Sequence, residues 1–296
     1  MDENMKKTAI LTAALLSLLC ACRKHTDDPP APVADPVPIR LSIASETKVS
    51  ESAYEEGDIV GLYVVNDGQT LAASGNHATN VPLSYKGNQW NSPETLYWKD
   101  QDTPASFYCY YPYRESIASI DAVPVSVHAD QSALDDYKAS EVLWGKRENV
   151  TPTAERVEIR TSHRMSNLFV SIVPGNGYTT ESLAAEDIAV TLNGLRTSGT
   201  LNLKTGEITA TGSPSDIVPN KAGDSFRALV LPQTHGNGAL LVLKVGANSF
   251  SFHETLTLKP NTQHHVTLTV NKETQGINIG IDNWETDGED YGGTVN

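Results

Sequence analysis

The sequence predicts an all-β protein built as two antiparallel β-sandwich domains in tandem. Three observations carry this. Apolar and polar residues alternate with period two in many short runs, the pattern of strands with one buried face. Turn-forming residues separate those runs at short spacing. Helical periodicity is scarce, with only residues 134–140 and 180–185 reading as a short helix or a loop.

The N-terminus comes first in the chain and fixes the compartment. Lys6 and Lys7 precede an uncharged run of 14 residues from Thr8 to Ala21, followed by Cys22. A basic start, an apolar core and a small residue before a cysteine are the parts of a lipoprotein export signal. The run is too short for a bilayer-spanning helix, which needs about 20 residues. The predicted cleavage lies between Ala21 and Cys22, and the predicted lipidation site is Cys22. Residues 1–21 are therefore read as a signal peptide, and the chain as an exported lipoprotein anchored by its lipid. An ordinary cleaved signal without lipid is the rival reading.

Residues 22–38 read as a tether, because Pro29, Pro30, Pro32, Pro36 and Pro38 favour extended polyproline geometry. Beyond it, Ile39, Leu41 and Ile43 alternate with Arg40, Ser42 and Ala44, which predicts a first strand with one apolar face. Similar runs follow at 59–65, 95–98, 106–111, 123–127, 157–159, 168–173, 188–192, 228–231, 240–245 and 266–270. Gly206 and Gly246 sit where hairpin turns call for a positive φ. The polar stretch 146–156, with Pro152, is the expected boundary, giving domains over 39–150 and 151–296. The 275 residues after the signal are enough for two cores.

Composition excludes several functions. The net charge of −14 disfavours nucleic acid, whose phosphates need Lys and Arg. Of three cysteines, Cys20 leaves with the signal and Cys22 is acylated, so Cys109 is left without a disulfide partner and reads as a buried small hydrophobe. There is no nucleophile elbow, zinc-protease motif or phosphate loop, so neither an enzyme nor a cofactor is expected. No metal site is expected either. His264 and His265 are adjacent, and neighbours on a strand face opposite ways; His253 and His264 read as solvent or loop residues. Asp282, Glu285, Asp287, Glu289 and Asp290 read as an exposed acidic tail. A surface glycan-binding lipoprotein is the alternative function, with Trp90, Tyr97, Trp98, Tyr110 and Tyr113 as candidate sugar-stacking residues.

Several segments together resemble the fimbrillins, the lipoprotein-precursor pilins of Gram-negative anaerobes. Glu56-Gly57-Asp58-Ile59-Val60-Gly61-Leu62-Tyr63 is similar to the segment that opens the family's N-terminal sheet. Ala105-Ser106-Phe107-Tyr108-Cys109-Tyr110-Tyr111-Pro112-Tyr113 is similar to its aromatic strand. Val157 to Ser171, with His163 and Arg164 between two strands, resembles the start of its C-terminal domain. Trp284 resembles the end of its chain.

The resemblance implies two transthyretin-like sandwiches and a pilus subunit, stalk or tip and accessory, with a role in adhesion. It implies that a protease removes the first strand with its lipid, and that another pilin subunit fills the groove by strand exchange. Lys48–Val49 is the matching cleavage position, with lysine where the family typically has arginine. Ile39, Leu41 and Ile43 would then be the core face of the removable strand. The implied partners are other pilin subunits, the outer membrane through Cys22 before processing, and a host ligand.

Overall fold

The computed structural model describes residues 35–45, 54–236, 238–253, 255–272 and 277–280. In chain order the strands are β1 (Arg40–Ser45), β2 (Ile59–Asn66), β3 (Ala78–Lys86), β4 (Gln89–Asn91), β5 (Ala105–Tyr111), β6 (Val123–Ser126), β7 (Leu143–Val150) and β8 (Arg156–His163). They continue as β9 (Ser166–Pro174), β10 (Ile188–Leu201), β11 (Ile208–Ile217), β12 (Asn220–Ala222), β13 (Ser225–Val230), β14 (Gln233–His235), β15 (Leu241–Val245), β16 (Asn248–Phe252), β17 (Leu256–Leu258), β18 (Thr262–Val270) and β19 (Ile277–Gly280). Two short helices, α1 (Leu134–Ala139) and α2 (Thr180–Ala184), interrupt them. The fold is all-β.

The first sheet has seven strands in the order β1-β8-β7-β5-β2-β3-β4. Its interior strand β2 is buried on both faces from Val60 to Asn66, and those faces belong to different cores. Leu62 and Val64 join Phe107, Cys109, Val157 and Ile159 in one cluster. Tyr63 and Val65 join Tyr110 and Trp144 in a second cluster, which runs on through Leu168, Leu192, Leu243 and Leu268 in the later strands. A strand read as one-faced is thus wrapped on both sides, which explains its unbroken apolar run.

The remaining strands build two five-stranded sheets, β11-β10-β15-β16 with β6 also on β10, and β12-β13-β9-β18-β19, and a two-stranded sheet, β14-β17. Their facing residues fill the second core. Gly206 and Gly246 turn the β10–β11 and β15–β16 hairpins at φ +75° and +57°, conformations that cost glycine little.

Most ladders are antiparallel, but β1 runs parallel to β8 and β18 runs parallel to β9. The two halves also interlock. β8 pairs with β7 and β1 in the first sheet, while β6 pairs with β10 in the second. The switch between sheets falls at the turn after His163, beyond the polar stretch that separates β7 from β8. His264 departs from its sequence reading: it is 6% exposed and lies in β18, in phase with Val266, Leu268 and Val270 on the buried face. His253 is exposed.

Candidate functional site

The candidate site is β1 and the groove that holds it. Its apolar residues point one way because side chains alternate across a strand. Ile39 and Ile43 are 9% and 6% exposed, Leu41 is half-buried, and Arg40 and Ala44 face solvent. Ile39 and Ile43 belong to the same cluster as Val157 and Ile159 of β8 and Trp98. Full burial of such side chains contributes about 1.5–3 kcal/mol each.

The groove has two walls. On one side β8 pairs in parallel register from Arg40↔Arg156 to Ser45↔Thr161. On the other, backbone pairing covers only the entry: the Ile39 N–H donates to the Leu96 carbonyl at 2.8 Å and the Trp98 N–H to the Val37 carbonyl at 2.9 Å. Pro38 sits between them, bridging to Tyr97, at a place that asks no N–H of it. Past that point side chains take over. The Trp90 indole N–H, from β4, donates to the Ile43 carbonyl at 2.9 Å. The Arg156 guanidinium donates to the Leu41 carbonyl at 3.2 Å. A shallow groove of about 200 Å³ lies along this side, between β1 and the β3–β4 turn.

A third side chain works from within. The Thr161 hydroxyl donates to the Ala44 carbonyl at 3.3 Å and lies 2.7 Å from the Tyr54 hydroxyl. With its one proton committed to Ala44, Thr161 must accept from Tyr54. Thr161 is fully buried. Burial pushes the Tyr54 phenol well above its ordinary value, with Cys109 and nearby carboxylates adding to the shift, so it stays a proton donor at any physiological pH. Its ring meets Trp90 edge-on at 4.8 Å and 86°, which fixes the indole in place.

Tyr54, Arg156 and Thr161 were not singled out by sequence reasoning. Thr161 carried a signal, being a polar residue in phase with Val157 and Ile159 on a buried face. Ala21, Cys22, Lys48 and Val49 lie outside the described residues; the chain is described up to Ser45 and again from Tyr54. Among the candidate stacking aromatics, Trp98 and Tyr110 are buried. Their polar atoms are spent on the Thr153 carbonyl and Asn80, so neither can offer a face to a sugar. Among the described residues no group of three or more His, Cys, Asp or Glu is placed to hold a metal ion. No described helix is long and apolar enough to cross a membrane.

A family model described as fimbrillin-like matches residues 47–284. The chain belongs to the fimbrillin-like family. The match begins two residues beyond the end of β1. A candidate fimbrium subunit of Bacteroides uniformis, Fim1C, is 26% identical over 310 aligned residues, covering 99% of each chain. A candidate fimbrium tip subunit of Bacteroides ovatus is 24% identical over 195 residues, 57% of this chain and 36% of that one. The crystal structure of a candidate cell adhesion protein from Bacteroides uniformis superposes with a TM-score of 0.64 at 23% identity, covering 82% of this fimbrillin-like chain and 96% of the other. That last likeness is one of fold.

Proposed function

We propose that the chain is a fimbrium subunit of the bacterial surface, with a role in adhesion and no catalytic activity, joined to its neighbours by strand exchange. In this reading the protein reaches the outer membrane on a lipid at Cys22, as two transthyretin-like sandwiches with β1 in place. Cleavage at Lys48–Val49 frees β1, and a strand from another subunit replaces it. Unprocessed chains keep their lipid and stay at the membrane. The observation that carries the reading is that β1 is the edge strand of its sheet and fills the core beneath it with Ile39 and Ile43. Losing it would expose apolar surface and an open sheet edge, an unstable pairing template. A donated strand would restore both, which is β-augmentation. β19 pairs with β18 within the chain, which supports a tip or accessory place, since a strand kept at home is not donated.

The test is N-terminal sequencing and intact mass of protein taken from its native cell surface. High-mass species that resist mild detergent and begin at Val49, beside lipid-bearing chains that begin at Cys22, are the expected result. Protein that is wholly monomeric and retains residues 39–45 would end the proposal.

A further inference from the structure

We infer that Trp90, Arg156 and Thr161 are the strand-recognition residues of the groove: three side-chain donors that hold main-chain carbonyls and so set the phase of whatever strand lies there. The inference rests on the strand-exchange reading and adds to it which residues do the recognising and what they recognise.

The carbonyls of Leu41 and Ile43 are two residues apart, so they emerge from the same edge of β1. That is the edge opposite β8, where the sheet order provides no further strand. Arg156 takes the first of these carbonyls and Trp90 the second. Thr161 takes the next carbonyl along, that of Ala44. The indole and guanidinium contacts together fix the phase of the strand, and a slip by two residues is opposed by the buried side chains and not by these contacts. A slip by one residue would turn both carbonyls away and lift the apolar side chains out of the core. Reversing the strand would also break the parallel ladder with β8.

None of these contacts touches a side chain of β1. Sequence is read elsewhere, by the two buried positions four residues apart, Ile39 and Ile43. The groove therefore fits an extended strand running parallel to β8, with two branched or large apolar residues at that spacing and free choice at the outward positions. The recognition set also outlasts the strand. Tyr54, Trp90, Arg156 and Thr161 all lie beyond Lys48–Val49 in the chain, so a cut there leaves them in the body. Departure of β1 takes the acceptor from the buried Thr161 hydroxyl and from the Trp90 indole. Buried donors without acceptors are costly, and an incoming strand cancels that cost.

Hydrogen exchange of the full-length protein in detergent, followed by mass spectrometry, reads the grip directly. Trp90→Phe, which keeps the ring packing against Tyr54, should speed exchange across residues 40–45 about tenfold. Arg156→Met should speed it about threefold, and the exposed neighbour Gln89→Ala should leave it unchanged. Unchanged exchange in both Trp90→Phe and Arg156→Met overturns the grip. A second arm cuts the folded wild-type and variant chains with a lysine-specific protease. Replacement of the N-terminal fragment by a labelled peptide of residues 36–47 is then timed. The variants should exchange fragment faster and retain peptide more weakly. Peptide uptake equal to wild type in both variants overturns their role in recognition. Faster hydrogen exchange with no peptide uptake, even by wild type, overturns strand replacement and leaves the grip on β1 standing.

Discussion

The Trp144 indole N–H donates to the Leu203 carbonyl at 2.9 Å across 59 residues of sequence. Trp144 lies on β7 of the first sheet, and Leu203 in the turn between β10 and β11. The bond is buried and ties the two halves of the chain together. Arg164 lies over the indole at 4.8 Å, and Gly206 packs so close that a Cβ there would fall 2.3 Å from the ring.

Gly206→Ala should therefore be among the more damaging single-methyl additions in the protein. It meets a positive φ and an aromatic ring at once. Left-handed backbone strain and overpacking together should cost about 2–4 kcal/mol. Trp144→Phe, which leaves the Leu203 carbonyl without its donor, should cost about 1–3 kcal/mol. Urea unfolding of both variants checks the magnitudes; a Gly206→Ala midpoint equal to wild type would contradict the packing.

Within β1 the alternation of burial sets a sharp contrast. Ile43→Ala should cost about 2–5 kcal/mol through lost burial and the cavity left behind, whereas Arg40→Ala, one strand face over, should stay within about 0.5 kcal/mol. Leu41→Asp combined with Ile43→Asp should stop the first sheet from closing, because a buried unpaired charge is strongly destabilising. Thermal unfolding of the intact chain measures each; a fully stable double variant would mean that these side chains do not fill the core.

Many strands were legible because alternation is local, but β3 and β4 lie outside the alternating runs, and residues 95–98, which read as a strand, form only a single bridge at Tyr97. Arg40 to Ser45 reads correctly from six letters, and Gly206 and Gly246 mark hairpins because turn conformation is set by the residue itself. The parallel pairing of β1 with β8 was not legible. Those strands lie over 100 residues apart, and nothing in either run states which edge the other will meet. The same limit hid the recognition set, whose members come from β4 and β8, with Tyr54 from a third segment bracing them. His264 was misread for a different reason. Polarity alone points a histidine outward, whereas the phase of His264 with Val266, Leu268 and Val270 places it on the inner face.

Cys109 should be chemically silent in the folded protein. It is 1% exposed, and burial pushes its thiol far above the ordinary value. The thiolate is the reactive form, so iodoacetamide at pH 8 should label native protein more than about 100-fold more slowly than urea-unfolded protein. Labelling at the unfolded rate would show that β5 opens readily, and the core around Phe107 with it.

Acid should destabilise the C-terminal half through His264. Burial, with help from the Lys259 ammonium and His265, lowers its pKa to about 4, against about 6.5 in an unfolded chain. The Lys259 backbone N–H also donates to its Nε2 at 3.2 Å, a bond that only the unprotonated nitrogen can accept. Between these two values the unfolded chain binds the proton and the folded chain does not. Stability from this group is thus complete above about pH 6.5 and is lost progressively as pH falls towards 4, by roughly 2–3 kcal/mol. His264→Gln keeps an acceptor for the Lys259 N–H but cannot titrate. It should be less stable than wild type at pH 7, and the gap should narrow or reverse by pH 4.5. Carboxylates act on both chains alike and cancel in the comparison. Urea midpoints for the pair at half-unit steps of pH decide the matter: two parallel curves would mean that His264 titrates normally and is open to water.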